Sequence, residues 1–152
     1  MKLPVKPQAI FFDLDGTLVD TAPDLGGAAN YIRSTQGLQA LPLPDYRPVA
    51  SAGARGLLGK ALGITPDHAD FPLHRDAFLA HYAEHLADNS GLFEGFAETL
   101  AGFAQQGVHW GVMTNKPKQY TEPLMAALNL AADACAIVSA DEVPKAKPAP
   151  DG

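Results

Sequence analysis

Ala9-Ile10-Phe11-Phe12 is an unbroken apolar run that stops at Asp13-Leu14-Asp15-Gly16-Thr17, two carboxylates one residue apart with a glycine behind them. Such a run predicts a strand buried on both faces of a parallel sheet. Open α/β sheets bind ligands outside the carboxyl ends of their strands, which is where Asp13 and Asp15 emerge. Facing one phosphate and one divalent cation, Asp13 has the chemistry of a nucleophile and Asp15 that of a proton donor to the leaving oxygen. A calcium loop opening at Asp13 is excluded, because it needs glycine at its sixth position and a bidentate glutamate at its twelfth. Leu18 and the shorter Asp24 stand there, and an apolar run rather than a helix leads in.

The rest of the chain supplies what such a strand needs around it. Thr21-Ala22-Pro23-Asp24 reads as a helix start, with Leu25, Ala28, Ala29 and Ile32 on one side and Gly37 as the stop. Tyr46 to Leu62 predicts shorter helical pieces broken around Gly53, and Phe71 to Leu86 a longer helix. Residues 21–89 therefore read as a small helical bundle inserted after the first strand. Beyond Gly91, Phe96, Leu100 and Phe103 mark a helix that Gly107 closes, and Val108 to Met113 reads as a second strand. Pro117 to Leu128 returns to helix, kinked at Pro123 or starting near Thr121. Ala134 to Val138 is a third short strand, and Asp141 to Pro150 a polar tail. Function is expected at three strand ends: Asp13 and Asp15, Thr114 and Asn115, and Ser139 to Lys147. Together they offer a nucleophile, neutral donors and a cation, a set suited to phosphoryl transfer.

Asp13-Leu14-Asp15-Gly16-Thr17-Leu18-Val19-Asp20, Val112-Met113-Thr114-Asn115-Lys116-Pro117 and Lys147-Pro148-Ala149-Pro150-Asp151 resemble, in this order, the first three motifs of the haloacid dehalogenase-like phosphatases. Within that family the chain is similar to phosphoglycolate phosphatases and to N-acetylmuramic acid 6-phosphate phosphatases. The resemblance implies an α/β, Rossmann-like core formed by 1–20 and 90–152, with three strands present, and a helical cap over 21–89. Asp13 would form an aspartyl-phosphate, and Asp15 would protonate the leaving alcohol and then activate water. Magnesium would be held by the Asp13 carboxylate and the Asp15 backbone carbonyl. Thr114 and the Asn115 backbone would bind phosphoryl oxygens, and Lys147 would neutralise the nucleophile, with Lys145 as its competitor. Arg55, on the cap, is a candidate for a substrate carboxylate or hydroxyl.

The family's fourth motif, which supplies further acids to the metal, is not found before Gly152. Impaired turnover and self-association along the free edge of the first strand are therefore expected of this span. Asp141 and Glu142 are weaker oxygen candidates. The implied partner is a small phosphorylated metabolite, with a phosphosugar mutase or a non-catalytic fragment as alternatives.

Charge and composition narrow the field further. The net charge of -6 displays no basic surface for nucleic acid or anionic membrane. Cys135 is the one cysteine, so no internal disulfide forms, a cytoplasmic setting is expected, and its apolar neighbours place the thiol in the core. Gly53 to Lys60 imitates a phosphate loop but has Ala54 and Ala61 where glycine and Ser or Thr are required. His74, His81 and His85 can share a helix face, and the i, i+4 pair His81 and His85 has zinc-ligand spacing, but no third ligand lies near that pair in sequence and the histidines are expected to be solvated. Trp110 and Tyr120 are expected to be packing residues.

Overall fold

In a computed structural model, which describes residues 5–152, the chain opens with the expected strand, β1, over Ala9–Phe12. A tight loop carries it into β2, Val19–Asp20. Four helices follow: α1 Ala22–Thr35, α2 Leu43–Tyr46, α3 Gly53–Leu62 and α4 Phe71–Glu84, with a 3-10 turn at Arg47–Ala52 between α2 and α3. The chain continues through β3 Gly91–Leu92, α5 Phe96–Gln105, β4 His109–Met113, α6 Lys118–Ala127 and β5 Ile137–Val138. It forms two compact units, Met1–Val19 with Leu92–Gly152, and Asp20–Gly91.

In the first unit β1, β4 and β5 form a parallel sheet in the order β1-β4-β5. Phe12 stands opposite Val112, and Met113 opposite Val138, so all three strands end on one side. Phe12 packs on α5, edge to face with Phe96 at 5.4 Å and stacked with Phe103 at 6.4 Å between ring centres. The opposite face of β1 departs from expectation: Phe11 is 45% exposed. As an edge strand, β1 has an α5-facing side that is covered and an outer side that is not, so an unbroken apolar run here does not mean two buried faces.

Two further expectations are corrected at β5. The strand begins at Ile137 rather than Ala134, because residues 131–133 form a turn after α6. Cys135, expected in the core, lies in that approach and is exposed, although its N–H still donates to the Trp110 carbonyl at 2.7 Å. Pro123 sits inside α6 without ending it.

In the second unit α1 packs against α3 and α4, with the anticipated side of α1 buried at Leu25, Ala28, Ala29 and Ile32. Gly53, with φ of +60°, turns the chain from the 3-10 segment into α3, a backbone conformation that a side chain would strain. Asp24, in the first turn of α1, is 4% exposed and closes this unit on itself. Its carboxylate accepts the Asn89 N–H at 2.9 Å and the Ser90 hydroxyl at 2.6 Å. Asp20 is bound bidentately by Arg47, both contacts being 2.9 Å. His81, expected to be solvated, instead stacks on Tyr31 at 4.1 Å and meets His85 at 4.4 Å between ring centres. Trp110 is buried, as a packing residue should be. Among the described residues no helix is long and apolar enough to cross a membrane.

Candidate active site

The loop after β1 sorts its side chains by alternation. Asp13 is exposed, Leu14 buried and Asp15 half-buried, while Leu18 and Val19 return to the interior. Gly16, at φ +76°, allows the reversal that lets its N–H donate to the Val19 carbonyl at 2.9 Å. Buried leucines thus anchor a loop whose acids face outward. The Leu14 N–H donates to Asp13 Oδ1 at 2.9 Å, which fixes that carboxylate against its own backbone.

Parallel register brings the end of β4 beside the end of β1. Thr114 is 5% exposed; its N–H donates to the Val138 carbonyl at 2.9 Å, and its Oγ1 accepts the Lys116 N–H at 3.1 Å. Asn115 holds the third segment through a reciprocal pair. Its Nδ2 donates to the Lys147 carbonyl at 3.0 Å, and its Oδ1 accepts the Lys147 N–H at 2.9 Å. The backbone of Lys147 being fixed, its ammonium donates to Asp13 Oδ1 and to the Met113 carbonyl, each at 2.8 Å. Among the described residues it is Lys147, not Lys145, that is ion-paired with Asp13.

Two features were not legible in the motifs. The Asn115 side chain, rather than its backbone alone, has a defined task as the clasp on Lys147. Lys116, passed over between Asn115 and Pro117, places its ammonium 2.9 Å from Asp15 Oδ1. The signal that marks it is position: a lysine in a strand-end turn beside an acid-bearing loop. Each of the two acids is thus paired with one lysine. Arg55 belongs to the second unit, exposed on α3.

The donor types suit magnesium, which prefers hard oxygens, and Asp13 with the Asp15 carbonyl offers the first of them. Among the described residues no cluster of three His, Cys, Asp or Glu side chains stands ready to hold a metal. Asp141 and Glu142 are committed elsewhere. Asp141 accepts the Lys118 N–H at 2.9 Å, and Glu142 binds the Lys118 ammonium at 2.8 Å and the Ser139 N–H at 2.9 Å. Lys118 and that amide hold the Glu142 carboxyl below the ordinary carboxylate range.

A parallel α/β core, interrupted after its first strand by a helical unit and carrying an Asp-x-Asp loop against a strand-end lysine, defines a class of hydrolase. The chain belongs to the haloacid dehalogenase-like hydrolase family, whose model matches residues 7–152. It is 38% identical over 144 residues to the N-acetylmuramic acid 6-phosphate phosphatase of Pseudomonas aeruginosa, covering 95% of this chain and 64% of that one. It is 40% identical over 142 residues to the phosphoglycolate phosphatase of Caulobacter vibrioides, covering 91% and 60%. The crystal structure of a predicted phosphoglycolate phosphatase from Haemophilus somnus superposes with a TM-score of 0.76 at 26% identity, covering 95% and 68%. The chain therefore spans a little under two thirds of the length of the curated relatives it matches.

Proposed function

We propose that this chain is the nucleophile-bearing part of a magnesium-dependent phosphomonoesterase that works through an aspartyl-phosphate at Asp13. The observation that carries the reading is the Lys147 ammonium at 2.8 Å from Asp13 Oδ1, with the Thr114 turn on the adjacent strand end. A nucleophilic carboxylate approaching an anionic phosphate needs a cation at its side, and Lys147 is that cation.

The Asp13 oxygen forms a bond to phosphorus as the ester P–O bond breaks. The electron pair stays on the departing oxygen, which takes a proton from Asp15. Asp15, now a carboxylate, accepts a proton from water as that water attacks phosphorus, releasing phosphate and restoring Asp13. Thr114 and the Asn115 N–H serve the equatorial oxygens. Magnesium, held by the Asp13 carboxylate and the Asp15 carbonyl, would supply Lewis-acid stabilisation of charge on the phosphoryl group.

The substrate we favour is a small phosphomonoester that also carries a carboxylate. Phosphoglycolate and N-acetylmuramic acid 6-phosphate, the compounds in the relatives' names, share that pair of groups, and Arg55 has the planar donor fork a carboxylate takes. The test is a panel of both compounds and glycerol phosphate, assayed in the intact protein with magnesium or EDTA. Turnover is expected to need magnesium, to vanish in Asp13→Asn, and to favour the carboxylates, with Arg55→Met raising KM for those alone. Undiminished hydrolysis by Asp13→Asn overturns the mechanism; indifference to the carboxylate overturns the substrate class.

A further inference from the structure

The Lys116 side chain is 7% exposed and that of its partner Asp15 18%, whereas Lys147 and Asp13 are 35% and 45% exposed. The deeper of the two ion pairs is thus the one that holds the proton donor. Withdrawing an ammonium and a carboxylate from water costs several kcal/mol per ion, so such a pair is a poor device for stability alone. The backbone of Lys116 is held on both sides. Its N–H donates to Thr114 Oγ1 at 3.1 Å, and its carbonyl accepts the Thr121 hydroxyl at 3.2 Å. The ammonium is delivered to Asp15 from a fixed turn, the same turn that clasps Lys147.

We infer that Lys116 is a positioning residue for leaving-group protonation: by engaging Oδ1 it sets the rotation of the Asp15 carboxyl from which the proton is delivered. The inference rests on the reading of Asp15 as proton donor. In the step, the Asp15 O–H bond breaks toward the ester oxygen as that oxygen keeps the electron pair of the P–O bond. Lys116 retains its protons throughout. A side chain that acts only by aiming the donor matters in proportion to how much the leaving group needs a proton. An alkoxide needs one, and a nitrophenolate departs without one.

The experiment compares an alkyl phosphomonoester with p-nitrophenyl phosphate, using the intact protein and the variants Lys116→Met, Lys116→Arg and Asp15→Asn. Lys116→Met is expected to lower kcat/KM, which reports the steps up to phosphoryl transfer onto Asp13 and not the hydrolysis common to both esters, about tenfold or more for the alkyl ester and less than about threefold for the aryl ester, a fraction of the full effect of a general acid. Lys116→Arg should recover a large part of the alkyl kcat/KM. Asp15→Asn should show the same selectivity with a larger loss. If Asp15→Asn discriminates between the esters while Lys116→Met slows both equally or neither, the role given to Lys116 is wrong and the reading of Asp15 stands. If Asp15→Asn does not discriminate, the reading of Asp15 fails and Lys116 loses its role with it.

Discussion

Gly111 lies at the centre of the sheet, opposite Phe11 on β1 and beside Ala136 at the approach to β5. Gly111→Ala tests whether this packing sets the strand ends. A Cβ there would lie 2.5 Å from Phe11 Cε1 and 2.7 Å from the Ala136 carbonyl oxygen. The Phe11 ring is exposed enough to swing away, at a cost of about 0.5–1 kcal/mol for leaving its rotamer. The carbonyl has less freedom, since it accepts the Val112 N–H at 3.0 Å. Restoring an ordinary contact opens that spacing by roughly 0.7 Å and sacrifices most of a hydrogen bond, about 1 kcal/mol. The sum, about 2 kcal/mol, falls within the usual range for overpacking. Trp110, the one tryptophan, is buried on β4 and reports unfolding of this unit by fluorescence. With a urea slope of about 2 kcal/mol per molar, the midpoint should fall by about 1 M. Measured against Phe11→Ala alone, adding Gly111→Ala should still cost about half of this, because the carbonyl clash remains. An unchanged midpoint, or complete relief by Phe11→Ala, refutes the account.

Asp24→Ala should destabilise the second unit by about 3 kcal/mol, since it leaves the Asn89 amide and Ser90 hydroxyl without their charged acceptor. Amide exchange at Asn89 should accelerate, and an unchanged rate would rule out that clasp. His81 titrates below the ordinary imidazole value of 6.5, first because burial disfavours its charged form and then because His85 faces it, with Glu84 and Asp88 opposing. The unfolded chain therefore binds the proton more readily, so stability is expected to fall as pH drops from 6.5 through the lower folded value. His81→Gln should flatten a plot of melting temperature against pH between neutrality and pH 5; an identical slope in the variant would refute the assignment. Among the described residues β1 lies at an edge of its sheet with Phe11 exposed; we propose that this edge associates with other copies and that Phe11→Lys weakens the association in sedimentation velocity. Equal association by both proteins would place the contact elsewhere.

What the sequence revealed was what local chemistry determines. Asp13 and Asp15 could be read because an apolar run ending in Asp-x-Asp-Gly has few other uses, and the helix over Ala22–Thr35 because its apolar spacing is complete. Lys116 escaped because the value of an ammonium depends on where a turn aims it, and Asn115 because its side chain binds backbone 32 residues away. The exposure of Phe11 and Cys135 escaped for a different reason. An apolar run indicates a strand without saying whether both of its faces are covered, as at Phe11, and does not show where the strand begins, so that Cys135 falls in the approach to β5 and not on it. Asp24 has two compatible roles, helix-dipole partner and clasp for residues 65 and 66 positions further on; only the first is visible locally.

Sequence distance explains why the turn after β4 carries so much of the site. The pairs Lys116–Asp15 and Lys147–Asp13 join residues 101 and 134 positions apart, and neither lysine is held by its own neighbours in sequence alone. Thr114 is tied to β5, Asn115 to the backbone of Lys147, Lys116 to the Asp15 loop, and Pro117 leads into α6. Four consecutive residues thereby fix the spacing of three strand ends. A slip of one residue between β1 and β4 would turn every side chain on the slipped strand to the opposite face and separate both acids from both lysines at once. Close packing at Gly111 resists such a slip, because any side chain brought between Phe11 and the Ala136 carbonyl must displace one or both. The smallest residue in the sheet and the most polar turn beside it therefore serve one end, which is to hold two carboxylates and two ammoniums at hydrogen-bonding distance before any substrate arrives.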